Sequence, residues 1–379
     1  MATTLQSNPA VNPAVKVPFG DLARQYRAIA GEIDAAVNRV LGRGWFVLGQ
    51  EVESFEREFA TYIGVRHAVG VGSGTEAIHL ALIAAGVSPG DEVITAANTC
   101  VPTVSAISFA GAATVLVDVD HDNFNLDPAK LESAITPRTK AILPVHLYGQ
   151  AADLDAILEI GRRRQIPVIE DVAQGHGATY REQKLGVFGL ASAFSFYPSK
   201  NLGAYGDGGA VVTNDDDVAK RLRQLRNYGE ERRYFHTTKG FNSRLDEIQA
   251  AVLRVKLDYL EDWNTRRREI AGLYDRGIVN PLILKPARMD YGTHNYHLYV
   301  IRTERRDELR RHLASLGIGS LIHYPVPIHL QKAYSELGKA RGSFPIAERC
   351  SDQVLSLPIF PELSDQEVLE AADAVNSFS

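Results

Sequence analysis

Cysteine, charge of one dominant sign and long apolar runs are all scarce in this 379-residue chain. Its two cysteines, Cys100 and Cys350, cannot assemble a disulfide framework or a CxxC metal site, which suits a reducing compartment such as the cytoplasm. A formal net charge of −5 offers no basic face on which nucleic acid would dock by counterion release. No segment reaches the ~18 consecutive apolar residues of a membrane span. Met1 to Lys16 lacks the charged-then-apolar order of a signal peptide and reads, with residue 17, as a loose tail. What is present is ordinary for a folded protein, 45% hydrophobic and 23% charged, and long enough for one large domain plus a smaller one.

Apolar residues recur at helical spacing from Asp21 to Leu41 and again through Val52, Phe55, Phe59 and Tyr62. Short β-rich runs then alternate with helical stretches, at 68–72, 92–95, 114–119, 141–146, 168–171, 193–197 and 209–213. That rhythm predicts an α/β fold, a mainly parallel sheet with flanking helices. A long helix from Arg244 to Arg268 carries the chain away from it. The pattern then becomes mixed, with a strand near 297–301, a helix over 306–316 and a final helix opening on a Ser364/Glu367 capping signature. The expected organisation is a large domain over 18–265 and a smaller α+β C-terminal domain over 266–379.

Three segments carry chemistry. Gly72-Ser73-Gly74-Thr75 follows a strand and opens an apolar helix, a place where free N–H groups and the helix dipole attract an anion such as phosphate. The same glycines would also serve merely to tighten a turn. The spacing is neither a Walker A loop nor a GxGxxG fingerprint. Next, Glu170-Asp171 closes an apolar strand, and in open α/β sheets ligands gather at strand carboxyl ends, so Asp171 is either a site carboxylate or a turn cap. Finally, Lys200 lies just beyond a hydrophobic strand, in a run rich in glycine and small polar residues. It is either a desolvated nucleophile or a surface lysine after a turn. Together the three suit pyridoxal 5′-phosphate (PLP): donors for its phosphate, a carboxylate that keeps its ring nitrogen protonated, and an amine for its aldehyde.

At these residues, and at Gly44 to Gly49, Glu170 to Gln174, Ser195 to Gly209 and Gly240 to Glu247, the chain resembles the DegT/StrS family of fold-type I, PLP-dependent nucleotide-sugar aminotransferases, from about Pro18 onward. The resemblance implies that Lys200 is the internal-aldimine lysine and proton shuttle, and that Asp171 partners the ring nitrogen. It implies Gln174 near the ring oxygen and Gly74, Thr75 and Ser195 around the phosphate. Asn242 would reach the phosphate from the second subunit of a homodimer, although its place also suits an N-cap for the following helix. Cys100 departs from the pattern, standing where many relatives place an aromatic ring.

Relatives with histidine at the lysine position dehydrate their substrates, so Lys200 implies amino transfer, with L-glutamate as donor in a ping-pong cycle. The segment Leu321 to Gln331 resembles members acting on dTDP-linked 3-keto-6-deoxy sugars. His323 and Tyr324 are candidates to hold that nucleotide sugar, with Arg232 and Tyr234 helping from the partner subunit; Arg232 also reads as part of a solvated charge run. A 4-keto sugar or cyclitol aminotransferase shares every cofactor residue. A PLP-binding regulator without turnover is a third alternative.

Overall fold

The computed structural model describes residues 15–379. Most of the segment read as a tail lies outside them, but its last residue does not behave as one. Val17 is fully buried, and Lys16 and Val17 both donate their N–H to Gly317 O. An apolar side chain beside an open backbone edge gains more from docking than from solvent.

Helices α1 (Leu22–Arg43) and α2 (Gln50–Ile63) come first. Asp21 caps α1 by accepting from the amides of Ala23 and Arg24, and Gly44 ends it at φ +66°. The cap residue of α2, Gly49, has no side chain to offer. Instead the Glu247 carboxylate accepts from the amides of Gly49, Glu51 and Val52 at 2.8–2.9 Å.

Seven strands of the main sheet follow: β1 (His67–Val71), β2 (Glu92–Ala96), β3 (Ala113–Val117), β4 (Thr139–Ile142), β5 (Ile169–Asp171), β6 (Ala191–Ser195) and β7 (Gly209–Thr213). The order is β3-β2-β4-β5-β6-β7-β1, with β4 and β5 joined by the bridges Ile142↔Val168 and Val145↔Asp171. Only β7 runs against its neighbours. The central strands are buried on both faces, as a parallel sheet covered by helices requires. Helices α3 (Gly74–Ala84), α4 (Val101–Phe109), α5 (Pro128–Ala134), α6 (Leu154–Arg164) and α7 (Asp216–Leu225) are the connections. The expected strand over 193–197 ends instead at Ser195. Phe196 and Tyr197 already belong to the loop, where Tyr197 O accepts from the Lys200 amide at 2.8 Å.

Helix α8 (Glu247–Gly277) is longer than its polar-apolar pattern suggested and continues unbroken through Thr265. Its Leu253 and Leu260 pack in the core beside the sheet. Its Ile270, Ala271 and Tyr274 pack in a second core with Tyr299 and Ile301 of β8 (Tyr299–Arg302), Leu355 and Leu357 of β9 (Val354–Leu357), α9 (Arg306–Ser315) and α11 (Asp365–Asn376). Helix α10 (Pro345–Gln353) leads into β9. The capping signature at the last helix forms in both directions between Ser364 and Glu367. Among the described residues no helix is long and apolar enough to cross a membrane.

Candidate active site

The carboxyl ends of β4, β5 and β6 and the start of α3 open into one cavity of about 370 Å³. Gly74, Thr75, Asp171, Gln174, Ser195, Lys200, His323 and Tyr324 all line it.

The wall around Gly74 is shaped for an anion. Gly74 is the first residue of α3, so its amide and that of Thr75 precede the first intrahelical bond, which Ala77 makes to Ser73 O. The Ser73 hydroxyl accepts from the Glu76 amide and fixes the turn. A Cβ at Gly74 would collide with Ser195, so only glycine lets α3 and β6 approach closely enough for both to face one group.

Across the cavity the two carboxylates of β5 have opposite fates. The Glu170 side chain turns into the core and accepts from the amides of Gly186, Phe188 and Gly189 and from the Ser192 hydroxyl. Burial pushes its pKa up, yet the hydrogen bond from His146, with the Gly189 amide and the Ser192 hydroxyl, holds it below the ordinary carboxylate value. His146 adds an Nε2–H bond at 3.1 Å, while its Nδ1 accepts from the Ala152 amide. Asp171 is only 3% exposed and faces the cavity, accepting from Thr103 Oγ1 at 2.9 Å and the Ala173 amide at 3.1 Å. Burial outweighs these two bonds and raises its pKa. A cation brought against it would relieve that cost, and the protonated nitrogen of a pyridine ring is such a cation.

Burial likewise lowers the pKa of Lys200, toward the free amine a carbonyl carbon requires. The histidines around it are neutral for the same reason: His176 is pushed down to about 3, His323 to about 4, and His297 well below its usual value. The His297 Nδ1–H donates to Asn201 Oδ1 at 3.1 Å, the role left by an amide group whose nitrogen donates to Asn264. Gln174 accepts from the Tyr148 amide at 2.6 Å and donates to the Tyr324 hydroxyl at 3.2 Å, linking the sheet to the segment around Tyr324 at the cavity. Cys100 lines the same wall, its thiol pushed up by burial and in contact with Tyr324.

Arg232, Tyr234 and Asn242 do not line this cavity. All three are exposed; Arg232 and Tyr234 lie on the hairpin formed by Glu230–Arg232 and Phe235–His236, and the Arg232 guanidinium covers the Phe235 ring. Asn242 does not cap α8, whose N-cap is Asp246. Sequence reading missed Thr103, Tyr197, Ser199, Asp207 and His297, which also line the cavity. Thr103 follows Cys100 by three residues and, as one threonine among several, carried no signal of its own. His297 gave no signal beyond marking a strand start.

A sheet of this order with a buried lysine, a carboxylate at the end of β5 and an anion-binding helix start defines a fold-type I, PLP-dependent aminotransferase. The DegT/DnrJ/EryC1/StrS aminotransferase family matches residues 27–376, and the chain belongs to that family. It is 50% identical over 365 residues, 96% of each chain, to dTDP-3-amino-3,4,6-trideoxy-alpha-D-glucose transaminase of Streptomyces venezuelae. It is 49% identical over 362 residues, covering 96% of this chain and 99% of the other, to dTDP-3-amino-3,6-dideoxy-alpha-D-galactopyranose transaminase of Aneurinibacillus thermoaerophilus. Among solved structures, S. venezuelae DesV in complex with a ketimine intermediate superposes with a TM-score of 0.93 at 51% identity, over 95% of this chain and 97% of that one.

Proposed function

We propose that the protein transfers the amino group of L-glutamate to C3 of a dTDP-linked 3-keto-6-deoxyhexose, in a ping-pong cycle. The observation that carries the choice of C3 is the near-50% identity, over almost the whole chain, to two transaminases named for dTDP-3-amino sugars.

PLP, when bound, supplies an electron sink for the carbanion left as a proton leaves the substrate carbon. The chain's residues do the rest. The Gly74 and Thr75 amides and the Ser195 hydroxyl hold the phosphate, while Asp171 keeps the ring nitrogen protonated through a charge that Thr103 and Ala173 orient. Lys200 Nζ, its pKa lowered by burial, accepts the proton from the donor's carbon and returns one in the second half of the cycle. Neutral His297 and His323 add no positive charge beside that amine. His323 Nδ1 is engaged by Ser356 at 2.8 Å, which leaves its Nε2 for the substrate, and Tyr324, lining the same cavity, helps to orient the sugar.

Asn242, Arg232 and Tyr234 act in the other subunit of a homodimer. Trp45 is 64% exposed, Phe109 65% and Tyr234 77%, and this apolar area is what a second copy would cover. The chain works in the cytoplasm. A panel of dTDP- and UDP-linked 3-keto and 4-keto sugars, with products identified by mass and NMR, tests the substrate. The 3-keto dTDP sugars should show kcat/KM higher by about 100-fold or more, the discrimination one misplaced polar group can impose. Equal or better turnover of the 4-keto sugars would sink this reading.

A further inference from the structure

The buried face of α8 carries Gln249, Lys256 and Asn264 in register with Leu253, Leu260 and Ala271. Steps of three and four residues put all six on one side of the helix, where apolar side chains belong. The three polar ones hold the loop that follows Lys200 at alternate residues. Asn264 Oδ1 accepts from Asn201 Nδ2, Lys256 Nζ donates to Gly203 O, and Gln249 Oε1 accepts from the Tyr205 amide, each at 2.8 Å.

Lys256 is the costly member. It is 0% exposed, its one hydrogen-bond partner among the described residues is a neutral carbonyl, and its Nζ lies 3.9 Å from the centroid of the Tyr205 ring. The charged group facing it is Glu362, which attracts it without a hydrogen bond and also attracts Arg267, farther along the same helix face. Burial lowers its pKa to about 7. A leucine here would fold at less expense, because an ammonium with a single carbonyl partner does not recover its lost hydration.

The loop transmits whatever Lys256 does. Lys200 donates its amide to Tyr197 O, Ala204 donates to Phe196 O, and Gly203 packs so tightly on the Pro198 carbonyl that no Cβ fits between them. Gly203 therefore cannot shift without the Lys200 turn shifting too.

We propose that Lys256 is a positioning residue for amino transfer: through Gly203 O it fixes the loop so that Lys200 Nζ meets the cofactor's aldehyde carbon at the angle for attack. This rests on the reading of Lys200 as the cofactor lysine. Binding of the cofactor's phosphate and ring is left to the Gly74 turn and Asp171, which Lys256 does not touch.

The test uses the full chain stripped of cofactor, as wild type, Lys256→Met and Lys256→Arg. Affinity for pyridoxamine 5′-phosphate, which has no aldehyde, reports the pocket; the stopped-flow rate of covalent capture of PLP reports the aim of Lys200. Lys256→Met should keep the first within about twofold and slow the second about tenfold or more, since misplacement of order 1 Å is enough for such losses. Lys256→Arg, still a donor, should recover most of the rate. Capture at the wild-type rate in Lys256→Met, or slowed only in step with weakened pyridoxamine phosphate binding, would overturn the proposal. If Lys256→Met does not fold, Gln249→Ala, at a half-buried position on the same clamp, is judged by the same two measurements. Covalent capture that survives Lys200→Ala would instead overturn the reading beneath it.

Discussion

Adjacent carboxylates on one strand do different jobs, and the difference is set by which way each side chain points. Glu170 is buried among three amides and a hydroxyl, while Asp171 faces the cavity with two donors and room for a cation. Glu170→Gln puts an amide donor against amide donors and should cost about 3 kcal/mol of stability with kcat nearly unchanged at a permissive temperature. Asp171→Asn should melt close to wild type and lose ~10²–10³-fold in kcat, the scale for removing one preorganised electrostatic group. Thermal melts and steady-state kinetics on the pair check both, and a crossed result would mean the roles are reversed. Asp171, Lys200 and the Gly74 turn were legible because each lies at a strand end beside a change of pattern. His297 and Thr103 were not, since a residue that enters a site from the far domain or through another side chain leaves no local mark.

At the scale of elements, contacts distant in sequence replace local capping. Helix α2 begins on a glycine and is capped by Glu247, a residue 198 positions from Gly49 at the other end of the domain. Glu247→Ala orphans three amides, so it should lower stability by ~1–2 kcal/mol, seen as a lower urea midpoint with an unchanged slope. A midpoint that does not move would show that solvent caps α2 equally well. The strand and helix order could be anticipated because hydrophobic period survives in each segment alone. The ends of β4 and β6 could not, because they depend on pairing with distant residues: just past the last strand residues, Leu143 N still donates to Ile94 O and Phe196 N to Gly208 O. Nor could the buried polar stripe of α8 be told from an ordinary solvated face, since its partners are the Lys200 loop.

For the whole molecule, buried neutral histidines make folding sensitive to acid. His176 is fully buried with a pKa near 3 and His294 is nearly so, also near 3, both lowered chiefly by burial. The unfolded chain binds protons on these rings below its ordinary value of ~6.5, and the folded chain does not until about 3. Stability is therefore fully present above ~6.5 and falls as pH drops toward 3, by about 1.4 kcal/mol per pH unit for each ring over most of that window. Chemical denaturation between pH 7 and 4 measures this, and a flat profile would mean water reaches both rings. The joining of the two cores by α8, with Lys200, His297, His323 and Tyr324 at their junction, makes that same fold the scaffold of the reaction. Its most direct test is nitrogen transfer itself, with PLP, ¹⁵N-labelled L-glutamate and a dTDP-3-keto-6-deoxyhexose supplied to wild type and Lys200→Ala. The label should appear on C3 of the sugar with wild type and nowhere on the sugar with Lys200→Ala. Label at C4, or label at C3 without Lys200, would contradict the account.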